Sequence, residues 1–251
     1  YKKPFGLSVL GTDKNILSLK RENLISFFNS RYKTDKMFLC VVGNAEFDAL
    51  VDFAERNFAG GGKIPNKQKI VLKNESKIET RQGIDQANLV LAFHTPLSTD
   101  NRVYAAKVLM TVLASGMSSR LFREIREKRN LAYSVHGDTV FNRHFSYSYV
   151  YAGTRKEKVE EVKNLILEEF KKVSKTLTEK EMNQAKEQLI GNYKISMEDS
   201  SGQMHHLLLF ETDGNAKNYY DFEKKIRDVK LSDVKKIAKL GTYSFYALVP
   251  T

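Results

Sequence analysis

Three consecutive glycines, Gly60-Gly61-Gly62, followed by Lys63-Ile64-Pro65-Asn66, set the strongest limit on how this chain can fold. Glycine frees the backbone, and proline interrupts helices and sheet ladders alike, so no regular element is expected to run through this stretch. It predicts a linker over 61–67 that separates residues 1–60 from residues 68–251. The chain has 251 residues, enough for one large domain or for a domain plus part of another.

Before the linker, residues 21–32 read as a helix with Leu24, Phe27, Phe28 and Tyr32 on one stripe. The run Met37-Phe38-Leu39-Cys40-Val41-Val42 ends at Gly43-Asn44 and predicts a buried strand over 37–43 closed by a turn. Residues 46–58 read as a second helix through Leu50, Phe53, Ala54 and Phe58. The edge of such a helix–strand–helix piece is expected to be open to pairing with another chain. Its single cysteine, Cys40, reads as a small buried hydrophobe. One cysteine excludes an internal disulfide framework and favours a reducing compartment.

After the linker the periods change. Residues 69–80 look extended, and 88–95 form a strand with apolar residues on both faces. Residues 101–114 and 118–129 read as helices separated at Gly116, and 131–141 and 145–153 as strands. In the second strand Phe145, Tyr147, Tyr149 and Tyr151 share a face. Val159, Val162, Ile166, Phe170 and Val173 mark an amphipathic helix, and Thr178 with Glu181 forms a capping box for the next one. Helices over 200–213, 216–227 and 232–239 and a strand over 243–249 complete the chain. Leu19, Leu24 and Phe27 before the strand at 37–43 repeat in spacing as Val229, Val234 and Ile237 before the strand at 243–249. Coincidence and a duplicated domain both account for that match.

The net charge of +11 excludes less than it suggests. Lys and Glu alternate over 156–172 and 178–187, as on solvated helix faces, and no nucleic-acid-binding signature accompanies them. No window approaches the roughly 18 unbroken apolar residues of a membrane span. Residues Tyr1 to Gly6 do not read as a signal peptide. The chain lacks a start Met, so a fragment, with any targeting segment removed, is the expectation. A cytoplasmic location is expected; a mitochondrial, other organellar or periplasmic one stays open if such a segment was lost.

One stretch is far more specific: Gly116-Met117-Ser118-Ser119-Arg120-Leu121-Phe122-Arg123-Glu124-Ile125-Arg126-Glu127-Lys128-Arg129-Asn130-Leu131-Ala132-Tyr133-Ser134-Val135. It closely resembles the second-domain signature of the pitrilysin, insulinase and mitochondrial-processing-peptidase family of zinc metallopeptidases. Pro4-Phe5-Gly6, Leu10-Gly11-Thr12 and Asn15-Ile16 resemble the middle of the family's first domain, and Met37 to Gly43 its end. The resemblance implies an α+β fold, a two-layer antiparallel sheet packed with helices. Residues 1–60 would then be an incomplete first domain and 68–251 a nearly complete second one.

The family's zinc site is an inverted His-x-x-Glu-His motif on a helix of the first domain, where two imidazoles share a face and the Glu activates water. None of His94, His136, His144, His205 and His206 forms such a motif, and the adjacent His205 and His206 diverge on a helix. No metal site is therefore expected in this chain, and His94 reads as a structural, hydrogen-bonded residue. Zinc would be held by the parent protein outside it, on a missing N-terminal half or a homologous partner subunit. What the resemblance carries over is an Arg and a Tyr seven residues later, here Arg126 and Tyr133. In family members with a closed chamber they reach across to the zinc site and assist the transition state. The plainer readings are a charge on a basic helix and a sheet residue. Arg126 and Tyr133 are expected to face one open surface of the second domain, with Tyr133 at the sheet's rim, although simple alternation alone would put Tyr133 on an apolar face with Leu131 and Val135. Gly116 and Ser118 occupy the place of a substrate loop, and Gly116 also suits a helix C-cap. The expected function is the C-terminal part of a zinc endopeptidase acting on peptides or unfolded polypeptide. The alternative is a catalytically inactive homologue with a structural or substrate-binding role.

Overall fold

A computed structural model of the chain describes residues 1–34, 37–58 and 70–251. The expected linker at 61–67 lies outside the described residues. Two compact units emerge: Tyr1–Lys73 with Glu198–Leu208, and Asn74–Met197 with Leu209–Thr251.

The first unit contains helices α1 (Asp13–Ser18), α2 (Arg21–Arg31) and α3 (Phe47–Asn57). Thr12 caps α1 by accepting from the Asn15 amide, and Asn23 bonds back to the Lys20 amide at the start of α2. None of the described residues in this unit is buried. The strand expected over 37–43 does not form. A strand needs a neighbour for its backbone groups, and no strand lies among the described residues of this unit. Cys40, expected to be buried, is half-buried, and its thiol donates to the Met204 carbonyl at 3.4 Å.

The second unit holds strands β1 (Ser76–Arg81), β2 (Ala87–His94), β3 (Ala132–Phe141), β4 (Ser146–Thr154) and β5 (Ser244–Pro250) in one sheet, ordered β1-β5-β2-β4-β3. The pairings are antiparallel, except that β1 runs parallel to β5. Helix α4 (Arg102–Ala114) follows β2, and a π-helix (Phe122–Glu127) replaces the regular helix expected over 118–129. Beyond β4 lie α5 (Val159–Thr176), α6 (Glu179–Ser196), α7 (Ser200–Thr212), α8 (Phe222–Arg227) and α9 (Leu231–Ile237). The helix expected over 216–227 is split into a 3-10 turn at Ala216–Tyr219 and α8. Residues of α7 up to Leu208 group with the first unit.

Burial follows sequence period. In β2, Ala87, Leu89, Leu91 and Phe93 are buried, while Asn88, Val90, Ala92 and His94 form the second face. Helix α4 is apolar on almost every side because β3 and β4 flank it on one side and α6, α8 and α9 on the other. Helix α5 adds Ile166 and Phe170, whose ring meets Phe93 edge-on at 5.3 Å. Thr178 caps α6 as the sequence predicts, accepting from the Glu181 amide. No helix among the described residues is long and apolar enough to cross a membrane.

Candidate functional site

The signature stretch wraps from the end of α4 to the start of β3, and each bend in it has a local cause. Helix α4 stops where Gly116 takes φ +81°, a left-handed conformation open to glycine. The turn is held by Gln188 Nε2, which donates to the Ser115 carbonyl at 3.1 Å, and by the Ser119 hydroxyl, which donates to the Gly116 carbonyl at 2.8 Å. Ser118 is exposed beside it. Arg120 then reaches α6, donating through Nε and a terminal nitrogen to the two Glu181 oxygens, each at 2.6 Å.

The π-helix closes with the Lys128 amide donating to the Arg123 carbonyl at 2.9 Å. Leu121 and Ile125 are fully buried, so the wider turn redistributes the remaining side chains around those two anchors. Glu124 accepts from Lys128 and, at 2.6 Å, from Arg129. Those bonds, Lys128 first, hold its carboxyl down at about 2. Arg126 is exposed, with its guanidinium 4.9 Å above the Phe122 ring.

Asn130 turns the chain with φ +50°, and the Leu131 amide donates back to the Ile125 carbonyl at 2.9 Å. At the start of β3 the register slips: Ala132 opposes Thr154, but Ser134 opposes Gly153. Tyr133 is the extra residue of a β-bulge. Simple alternation alone would put Tyr133 on an apolar face with Val135, and the bulge takes it off that face. Ala132 takes the buried position instead, and Tyr133 is left 80% exposed. The packing of the π-helix against β3 places Arg126 and Tyr133 on adjoining elements of one unit. Their side chains are not bonded to each other.

Beyond Tyr133, the second face of the sheet carries residues that the sequence did not single out. His136 lies against Tyr151, ring centroids 4.8 Å apart, and contacts the Ser134 hydroxyl through Nδ1 at 3.3 Å. The Tyr151 hydroxyl donates to Asn88 Oδ1 at 2.6 Å. The signal was available: His136 and Tyr151 are on the non-buried parity of their strands. Pairing them requires the register set by the hairpin turn, where the Asn142 amide donates to the Phe145 carbonyl at 2.9 Å.

Among the described residues no group of three or more His, Cys, Asp or Glu could hold a metal ion. His205 and His206 have ring centroids 6.3 Å apart and planes 69° apart, not a converging ligand pair. These residues do not fit zinc.

Residues 18–189 match the family model described as the peptidase M16 inactive domain. An uncharacterized zinc protease of Rickettsia felis is 31% identical over 239 residues, covering 92% of this chain and 55% of the relative. The zinc protease YmxG of Bacillus subtilis is 28% identical over 257 residues, covering 97% of this chain and 60% of the relative. The chain thus spans little more than half the length of these relatives. Among solved structures, a peptidase M16 inactive domain from Pseudomonas fluorescens superposes with a TM-score of 0.83 at 22% identity, covering 99% of this chain and 62% of that one. A protease from Helicobacter pylori gives 0.83 at 18% identity, covering 96% and 61%. Likenesses at this identity speak for the fold alone.

Proposed function

The chain belongs to the M16, pitrilysin-like peptidase family, as a C-terminal domain of it, and on that premise we propose that it serves a zinc endopeptidase as wall and substrate clamp. The relatives' description as zinc proteases supports this reading. In it, Arg126 and Tyr133 contact the peptide undergoing cleavage, while the zinc and its ligands lie outside this chain. The observation that carries it is the pairing of two backbone irregularities with the two signature residues. A π-helix bears Arg126 and a bulge bears Tyr133, and both side chains are exposed. Such irregularities recur at functional sites because they re-aim side chains that a regular period would bury.

The chemistry follows from the groups. Attack on a peptide carbonyl builds negative charge on its oxygen. A fixed guanidinium fork and a phenolic O–H are donors suited to that charge. Phe122 beneath the Arg126 guanidinium limits where the fork can swing.

In the whole protein, Arg126→Ala or Tyr133→Phe should lower peptide cleavage roughly a hundredfold, the order of ~3 kcal/mol for one lost oxyanion donor. Thermal melts should stay close to the parent's, since both side chains are exposed. Unchanged cleavage in both variants would make them ordinary surface residues.

A second reading, an inactive subunit that binds substrate or scaffolds a partner, draws on the inactive-domain description of the matched model. It expects no cleavage by the whole protein before any substitution.

A further inference from the structure

Strand β1 ends the sheet beyond β5, and the direction of its backbone groups can be read residue by residue. The Glu75 carbonyl accepts from the Phe245 amide at 2.9 Å, which turns the backbone of Glu75 toward β5. Backbone groups alternate in direction along an extended chain, so Lys77, Glu79 and Arg81 point toward β5 as well. The register agrees: Phe245 lies opposite Ser76, the arrangement in which a parallel partner bonds the residues on either side of Ser76. Ser76, Ile78 and Thr80 therefore direct their N–H and C=O groups away from the sheet. Among the described residues no backbone group outside the sheet bonds to these three. All three are exposed, and Ile78, the large apolar side chain at the middle of the strand, leaves 56% of its surface open.

The residues between them carry alternating charge, in the order Glu75, Lys77, Glu79, Arg81. Such an order is complementary to itself when reversed. Two copies of β1 laid antiparallel about a twofold axis at Ile78 place Lys77 opposite the partner's Glu79, and Glu75 opposite the partner's Arg81. The same axis matches the outward backbone groups. Ile78 exchanges both its bonds with the partner's Ile78, and Ser76 with the partner's Thr80, as hydrogen-bonded antiparallel pairs. An axis moved by one residue puts Lys77 opposite the partner's Lys77, or Glu79 opposite the partner's Glu79, like charges face to face. We propose that β1 is a self-pairing edge, through which two copies of this chain join antiparallel over Ser76–Arg81 into one sheet. This stands apart from the reading of Arg126 and Tyr133 as a substrate contact.

Charge order selects the occupant. A foreign strand would need the same four charges at the same alternate positions, and a second copy has them by symmetry. Glu79 accepts from Lys77 and from the Tyr246 hydroxyl, so the charges beside the axis are held on one face of the strand. Ile78 lies on the other face, where it meets its own copy. The strand spans about 20 Å. A contact of that length buries less than the ~800 Å² per partner of a standard interface, so the dimer is weak and reversible. Its ion pairs are exposed, so salt weakens it further.

The test is sedimentation velocity of this chain over a dilution series, with amide exchange by NMR at both ends of the series. A dimer should grow with concentration and recede with added salt. Exchange at Ser76, Ile78 and Thr80 should slow as it grows, while Lys77 and Glu79, already bonded to β5, stay unchanged. Lys77→Glu alone, or Glu79→Lys alone, should weaken association roughly tenfold, because twofold symmetry counts each reversed pair twice. An equimolar mixture of the two variants should recover it, since every contact between positions 77 and 79 of unlike chains is again of opposite charge. Ile78→Pro removes an outward N–H and no bond to β5, so it should leave a folded monomer with the parent's thermal melt. The mixture decides the matter even where Ile78→Pro does not fold. Three results overturn the proposal. One is a single species at every concentration up to the solubility limit. Another is a mixture that associates no better than either variant alone. The third is equal protection of Ser76, Ile78 and Thr80 at every dilution, which would give the edge to a segment of the same chain.

Discussion

A side chain at position 137 would have nowhere to go. Its Cβ would overlap the Tyr149 carbonyl oxygen and lie 2.7 Å from Met110 Cε and 3.0 Å from Ala114 Cβ. Glycine is needed here for space, since the neighbours are a sheet carbonyl and a buried helix. Gly137→Ala should therefore destabilise the second unit by about 1–3 kcal/mol, the usual cost of overpacking, because backbone cannot yield as a flexible side chain can. A urea melt of the chain checks this, and a midpoint equal to the parent's would show that α4 shifts freely. The sequence places Gly116 between two helices and Gly137 inside a strand, and the two glycines answer different demands. Gly116 supplies a left-handed φ at a helix end, and substitution there strains the backbone.

At the scale of elements, what the sequence revealed and what it hid divide along regularity. Strand β2 was legible because Leu89, Leu91 and Phe93 keep a period of two, and α4 because apolar residues fill every side of a run bounded by Gly116. The π-helix was not legible, since one extra residue in a turn leaves no compositional trace. The bulge was not legible either: Leu131, Tyr133 and Val135 satisfy an unbroken strand pattern, and only pairing with Thr154 and Gly153 exposes the slip. The signature residues Arg126 and Tyr133 could thus be picked by resemblance, but their exposure could not be derived from periodicity. Glu124 ties Lys128 and Arg129 back across the wide turn and so fixes the path into β3. Its folded value of about 2 lies below the ordinary 4.5. The stabilisation is therefore complete above about 4.5 and is lost as pH falls toward 2. Urea melts through that window should show the parent losing stability more steeply than Glu124→Gln, which cannot titrate. Equal slopes would mean that the clamp contributes nothing to folding.

At the scale of the whole molecule, the two units differ in what holds them. The second has a continuous core through Leu91, Leu109, Leu113, Ile166, Phe170 and Phe245. The first leaves Leu24, Phe27, Phe28, Phe38, Phe47 and Phe53 exposed, and none of its described residues is buried. Helix α3 has 11 residues, below the length at which a helix is stable alone in water, so it depends on burying its apolar stripe. The chain spans 55% of the Rickettsia felis relative, and we take the cover for that stripe to come from polypeptide outside this span. The consequence is measurable. In this chain by itself, amides of α2 and α3 should exchange near the unprotected rate, while those of α4, β2 and β4 exchange only through global unfolding. Calorimetry should then show one cooperative transition, that of the second unit, because none of the described residues of the first unit is buried and they have little packing enthalpy to lose. In the whole protein the same α3 amides should gain protection. Should α3 be as protected as α4 in the chain alone, its apolar stripe is already covered within this chain, and no outside segment is needed to fold it.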